Sequence, residues 1–450
     1  MSTPKDRRNF LMQGAAATAG LFATSSVLAQ KAETASSSGD YKGQGGEYPR
    51  LHPGLGGPVG SPTDRGKLVP GLRQPGLPPV PITAPDLTTT SGKMVDGVRE
   101  FRIRATPVRR ELLPGIWMNA YGYNDQFPSP VLELNQGDRV RIIFKNELPE
   151  PTTLHSHGLE LPTYMDGVPF VTQNLVKPGE TFVYEYDVHQ EGSFFLHAHV
   201  AMQEAIGMIV PFIIHPKVAY DPVVDRDFVL VTQQFSMLPD ADIPNTQSMD
   251  WNFITANGRC GPFTTPLVCK LGERVRIRFI NFSTLHQHPM HLHGHTYWVT
   301  GTEGGRIPES AWIPGNTVIL GVAQSRDVEF IANNPGDWVL HCHMFHHMMN
   351  HMVSQVGPII RQMENKHGSK VPGYPQMMSS AKWTPEEMHQ ITSRRETQGM
   401  REGWYHGVHG LFTLLRVLPP ELYDKLMTTD DPIPPNSSAP LNPPPGSQTI

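Results

Sequence analysis

Three segments of this chain occur twice, in the same order. QGDRVRIIFKN at 136–146 returns as LGERVRIRFIN at 271–281, and LHSHG at 154–158 returns as MHLHGH at 290–295. FFLHAHVAMQEAIGMIV at 194–210 returns as WVLHCHMFHHMMNHMVS at 338–354. The offsets, 135 to 144, drift only as loops make them drift. Three ordered matches mean a duplicated unit, so the fold must hold two similar modules in tandem. Within each module strand-like runs alternate with turns. REFRIRATPV, RVRIIFKN, TFVYEYDV and GMIVPFIIH occupy about 93 to 216. DFVLVTQQF, RVRIRFIN, TVILGV, DVEFIA and SQVGPII occupy about 226 to 361. Short strands at this spacing, in a chain with 44 Pro and 41 Gly, predict an all-β protein of two β-sandwiches.

The flanks read differently. Arg7 and Arg8 precede Phe10 and Leu11, an Ala/Gly-rich apolar stretch follows, and Val27-Leu28-Ala29 has the small-residue pattern of a cleavage site. DRRNFLM resembles a twin-arginine signal, which predicts a removable leader over 1–29 and export to the periplasm or the exterior. An ordinary secretory signal is the alternative. The stretch is too short and too rich in Gly, Ser and Thr to anchor well, so no stable membrane insertion is expected. Residues 30–92 form a Gly/Pro-rich lead-in, predicted to be irregular and largely extended. The two sandwiches are placed at 93–220 and 221–361, and a partly helical extension at 362–450. That extension has neither the strands nor the motifs of a third module. Thr384 caps a helix predicted over 384–397, HGLFTLLRVL reads as a packed helix stopped by Pro419-Pro420, and the last twenty residues as disordered. A formal charge of −5 gives no sign of nucleic-acid binding.

The unusual entries in the composition are 21 His and 20 Met, both metal-ligand types. Cys342, His347 and Met352 are spaced five and five apart, with His288 upstream in the same module. Two imidazoles, a thiolate and a weak axial thioether describe a blue-copper electron-transfer site. A buried cysteine beside surface histidines is the plainer reading, which the ordered set argues against. There are also four H-x-H motifs: His155/His157, His197/His199, His291/His293 and His341/His343. In a strand, residues i and i+2 face the same way, so each pair aims two imidazoles at one place. A single zinc site would leave half of the eight unused, whereas a cluster of several copper ions suits them.

HSHG, HAHV, HPMHLHGH and HCHMFHHMMNHM resemble the four copper motifs of the multicopper oxidases, the laccase family, over roughly residues 94–360. The resemblance implies cupredoxin-like Greek-key sandwiches and about four copper ions per chain: one type 1, one type 2 and two type 3. It implies His155 and His291 as type 2 ligands, and His157, His197, His199, His293, His341 and His343 as type 3 ligands. His288, Cys342, His347 and Met352 would hold the type 1 ion. His346 is adjacent to His347, and the family's interval favours His347. Aligning the repeats sets Thr152 against His288, Ala198 against Cys342, Gln203 against His347 and Met208 against Met352, so the first module has lost its type 1 site. This resembles two-domain oxidases whose cluster forms between subunits, which implies a homotrimer; a monomer with an internal cluster is the alternative. The resemblance also sets an acid, Asp166, near the type 2 ion. Reducing dioxygen to water consumes protons, which a nearby carboxylate can relay; an Asp-Gly turn is the plainer reading.

The expected function is therefore an oxidase. A phenol, aromatic amine or reduced metal ion gives single electrons to the type 1 ion, and dioxygen is reduced to water. Cys342 would be the conduit and Asp166 the proton relay. A copper nitrite reductase is the nearest rival, but it needs few histidines and a type 1 site in the first module. A non-catalytic electron carrier leaves the H-x-H pairs unused. Cys260 and Cys269, flanking GPFTTPLV, read equally as a hairpin-closing disulfide or as two buried thiols. Met344, Met348, Met349 and His351 read as packing around the copper or as a cuprous docking surface. His406 and His409 read as structural or solvent-facing.

Overall fold

Residues 139–146 carry apolar side chains at every second position from Val140 to Phe144. In the computed structural model they form a strand, Arg139–Asn146, that buries Val140, Ile142 and Phe144. The structure describes residues 72–74, 76–200, 202–238, 241–350 and 383–438. The leader, residues 30–71, Met352, the SQVGPII run and residues 439–450 lie outside these. Arg139–Asn146 sits between Val98–Leu113 and Thr181–Asp187 in one sheet of the first sandwich. The facing sheet runs Thr89–Thr90, Val131–Asn135, Ile209–His215, Gly192–His197, His155–His157. Phe101, Phe144, Tyr184, Phe194 and Phe212 fill the space between them.

The repeat of that strand, Arg274–Asn281, is buried on both faces. Val275, Ile277 and Phe279 point into the second core. The opposite face carries three buried arginines, each paired: Arg274 with Glu329 at 2.7 Å, Arg276 with Glu329 at 2.9 Å and Arg278 with Asp227 at 2.8 Å. Buried charges are tolerable only when paired in this way. The first sandwich rests on this face. Arg278 Nη1 donates to Ser193 Oγ at 2.9 Å, and Ser193 Oγ donates to Asp327 at 2.6 Å.

The lead-in is not irregular to its end. Thr83 N donates to Asp227 O at 2.9 Å and Val229 N to Thr83 O at 3.0 Å, while Thr89–Thr90 pairs with Val131 and Leu132. The segment so covers the strand edges of both sandwiches, which would otherwise expose unpaired backbone groups.

The tail corrects two expectations. Its helix, Pro385–Thr392, has the predicted Thr384 cap, with Glu387 N donating to Thr384 Oγ1 at 3.2 Å and Thr384 N to Glu387 at 3.0 Å. HGLFTLLRVL is not a helix. Phe412–Leu418 is a strand buried along its whole length, parallel to Leu267–Lys270 and antiparallel to Gly336–Cys342. Both faces are covered, so the apolar run carries no period that would separate strand from helix. Pro419 and Pro420 instead open a short helix, Pro420–Thr428. The described part of the last twenty residues, mostly exposed, is tied to the body of the chain: Asn436 N donates to Met400 O at 2.8 Å and Ser438 Oγ to Asp337 at 2.6 Å.

The second sandwich thus orders its strands Leu267–Lys270, Phe412–Leu418, Gly336–Cys342, His288–Leu292, Thr317–Leu320. The first four repeat Val131–Asn135, Ile209–His215, Gly192–His197 and His155–His157. The strand that closes the second sandwich comes from the extension.

Candidate metal centres

Strand pairing builds the first histidine set. His155 lies opposite His197, Ser156 opposite Leu196 and His157 opposite Phe195. Ser156 is buried, so the period of two turns His155 and His157 outward together. His157 Nδ1 lies 3.3 Å from His197 Nε2, and the His155 ring centroid is 5.1 Å from His197 and 5.3 Å from His199. The other ring nitrogens are tied back. His155 Nδ1 donates to the Asp166 carbonyl at 2.6 Å, and His197 Nδ1 to the Ala198 carbonyl at 2.9 Å. Such bonds fix the tautomer and leave Nε2 as a ligand. The Asp166 carboxylate lies 3.4 Å from His155 Nδ1. The Asp166-Gly167 turn runs against the histidine strand so closely that a Cβ on Gly167 would lie 2.1 Å from Leu154 O. The Asp-Gly turn thus sets the Asp166 carboxylate beside His155.

The second set repeats the first. His291 lies opposite His341 and Met290 opposite Cys342. His293 Nε2 is 3.1 Å from His341 Nε2, and the His291 centroid is 5.4 Å from His343. His291 Nδ1 donates to Asn316 O at 2.7 Å and His341 Nδ1 to Cys342 O at 2.8 Å. His341 also stacks on Phe412 of the closing strand. Burial lowers both His157 and His341 to about 4, so each is neutral near pH 7 and able to bind a metal.

The same strand pair turns Cys342 and His288 to its other face, where His347 joins them from the turn Phe345–Met348; all three are fully buried. Cys342 Sγ lies 3.2 Å from His347 Nδ1 and 3.8 Å from His288 Nδ1, and those nitrogens are 3.1 Å apart. His288 Nε2 lies 2.6 Å from Ser283 Oγ. Burial pushes the Cys342 thiol up to about 12, so a thiolate here needs a cation beside it. His346 is exposed and outside the set. Trp251 and His286 pack on His347, with centroids at 4.7 and 5.3 Å.

The donor atoms fit a resident metal. Bonds of about 2.0–2.1 Å to nitrogen and about 2.3 Å to sulfur at tetrahedral to trigonal angles separate N–N pairs by about 3.3–3.6 Å and N–S pairs by about 3.5–3.8 Å. The separations above reach those ranges or fall about 0.2–0.3 Å short of them. In the first sandwich the matching place holds no such set. Thr152 Oγ1 donates to Gln203 Oε1 at 2.7 Å where His288 meets His347, and buried Ala198 stands where Cys342 does.

Among the described residues the two histidine sets stay separate: the clustered donors are His155, His157, His197 and, apart from them, His291, His293, His341. Cys260 and Cys269 are free and buried, so no disulfide joins them. They belong to different apolar clusters. Met344 is exposed while Met348 and Met349 are partly buried; His351 lies outside the described residues. His409 is buried and His406 exposed. Sequence reasoning missed Glu204, 3.3 Å from His197 Nδ1, and Ser283, Asn316, Trp251 and His286. These come from loops whose composition carries no periodic signal.

Two cupredoxin-like sandwiches with a thiolate–imidazole set and two outward histidine sets define a copper redox protein. Residues 106–219 and 236–358 match two family profiles, each described as multicopper oxidase, and the chain belongs to the multicopper oxidase family. It is 29% identical over 285 residues to the probable nitrite reductase-hydroxylamine oxidoreductase fusion protein of Kuenenia stuttgartiensis, covering 59% of this chain and 32% of that one. It is 26% identical over 258 residues to the multicopper oxidase MmcO of Mycobacterium tuberculosis, covering 49% of each. The chain thus spans about a third to a half of the length of these relatives. The crystal structure of the blue copper oxidase from Nitrosomonas europaea superposes with a TM-score of 0.52 at 28% identity, covering 56% of this chain and 81% of that one.

Proposed function

We propose that this chain is an exported, laccase-like oxidase of two sandwiches that couples one-electron oxidation of a phenol, aromatic amine or reduced metal ion to reduction of dioxygen to water. One observation carries the reading. A single strand pair presents Cys342 and His288 on one face and His291 and His341 on the other, and the turns that follow its two strands add His347 and His293. Bound copper would supply one-electron acceptance at the first set and four-electron dioxygen reduction at the histidine sets. Cys342 joins the two faces covalently, because its peptide neighbours are His341 and His343. Asp166, whose carboxylate lies 3.4 Å from His155 Nδ1, would hold and pass the protons that the reaction consumes.

Each sandwich carries half of the eight imidazoles. That supports a cluster closed by the first sandwich of one subunit against the second of its neighbour. A head-to-tail contact forms a ring where its rotation closes, and the resemblance to two-domain oxidases makes that ring a homotrimer. The twin-arginine pattern at Arg7 and Arg8 supports export. A cleft of about 570 Å³ lined by Met202, Glu204, Met249, Asp250, Thr284 and Leu285, with Asp250 and Leu285 the chain neighbours of Trp251 and His286, supports a reductant site on the His347 side.

The name of the Kuenenia relative brings nitrite reduction forward as a rival. The Thr152–Gln203 pair and Ala198 in the first sandwich argue against it, since that chemistry needs a type 1 site there. Oxygen uptake measured with a phenolic dye, beside nitrite consumption measured with a reduced dye, decides between them. Oxygen uptake without nitrite loss is expected, and nitrite loss without oxygen uptake would replace the reading.

A further inference from the structure

The repeat pattern assigns the axial position beside Cys342 to Met352 by spacing. The backbone points elsewhere. In the first sandwich, Ala198 N donates to Met208 O at 3.4 Å and Met208 N to Gln203 O at 3.4 Å. Met208 therefore bonds to the two residues that stand where Cys342 and His347 stand in the second sandwich. Only one residue can occupy that backbone slot. In the second sandwich Cys342 N donates to Leu411 O at 3.0 Å, and Leu411 N donates to His347 O at 2.8 Å.

The surroundings repeat as well. Met208 immediately precedes the closing strand Ile209–His215, and Leu411 immediately precedes the closing strand Phe412–Leu418. Each follows a left-handed glycine, Gly207 at φ 120° and Gly410 at φ 66°. A Cβ on Gly410 would lie 2.2 Å from His347 O, so the approach to the site requires glycine. Met208 is fully buried in the core that holds Ala198, and Leu411, 1% exposed, in the core that holds Cys342. Asn350 ties the outgoing and returning chain together: it donates to Gly261 O at 2.9 Å and accepts from Gly410 N at 3.1 Å.

We infer that Leu411, delivered by the C-terminal extension, holds the axial position of the type 1 set that spacing assigns to Met352. This rests on the type 1 reading above. Leucine has no donor atom, so Cys342, His288 and His347 are the whole ligand set. The axial group tunes the potential of such a site. A thioether favours the oxidised ion by donating to it, and leucine withholds that donation. The chain is therefore built as a stronger one-electron oxidant than its Met352 spacing implies, suited to reductants of higher potential.

The test uses the full-length, copper-loaded protein and two near-isosteric variants, which cores accept with little loss. Reduction potential and electron paramagnetic resonance of the blue site are read for each. Leu411→Met should lower the potential and change the copper hyperfine splitting, while Met352→Leu should leave both as in the parent. A potential unmoved by Leu411→Met, or moved by Met352→Leu, overturns the assignment. A copper-loaded parent with no blue band would overturn the type 1 reading and this assignment with it.

Discussion

His341 Nδ1 donates to the carbonyl of its neighbour Cys342 at 2.8 Å, although the two side chains leave the strand on opposite faces. The bond fixes one tautomer of His341 and leaves its Nε2 facing His293 Nε2 at 3.1 Å. His197 makes the same bond to Ala198 at 2.9 Å. The histidine geometry therefore survives in the sandwich that lacks the thiol. The two kinds of site are separable, and substitutions should separate them.

Replacing the thiol is the first case. Cys342→Ser should abolish the blue absorption and remove about one copper per chain, leaving the histidine-bound copper in place. Absorption spectra and elemental analysis check this. A variant that stays blue would show that another sulfur is the ligand.

Asp166 should matter to turnover and not to electron entry. Asp166→Asn keeps the turn and removes the carboxylate 3.4 Å from His155. Loss of such an outer partner typically costs about 10–100-fold, expected here in steady-state oxygen uptake. Bleaching of the blue band by reductant under anaerobic conditions should keep its parental rate. A slowed bleaching would place Asp166 on the reductant side instead.

Acid should weaken the metal-free fold. Burial lowers His157 and His341 to about 4 and His347 to about 3, from 6.5 for an ordinary histidine. Below 6.5 the unfolded chain binds protons that the folded chain refuses, so stability falls as pH drops from about 6.5 towards 4. Thermal melts of copper-free protein at pH 7 and pH 5 should show a lower Tm at pH 5. An unchanged Tm would mean that these rings are solvated in solution.

A shared cluster predicts complementation. His157→Ala disables the first set and His343→Ala the second, so each homotrimer should be inactive. Co-assembled from equal amounts, roughly a quarter of the interfaces pair two intact halves and should restore about that share of oxygen uptake. Activity near zero in proven mixed trimers would favour a cluster inside one subunit.

Much of this was legible in the sequence because a period of two converts spacing into shared facing. The H-x-H pairs and the Thr152, Ala198 and Gln203 replacements could be read from alignment alone. The closing strand of the second sandwich could not. Phe412–Leu418 pairs with Leu267–Lys270 and Gly336–Cys342 across long loops, and a strand covered on both faces has no alternation. Reading the axial residue by local spacing leads to Met352, while the fold brings Leu411 to the slot beside Cys342. Cys260 and Cys269 were ambiguous for a similar reason. Nearness along the chain says nothing about the separate cores they enter.

The copper content of fully loaded protein tests the central reading most directly. If the two histidine sets share a cluster, they and the buried Cys342 set should together hold about four ions per chain. A saturating content of about one or two per chain would contradict it, reducing the protein to an electron carrier or a nitrite reductase-like enzyme.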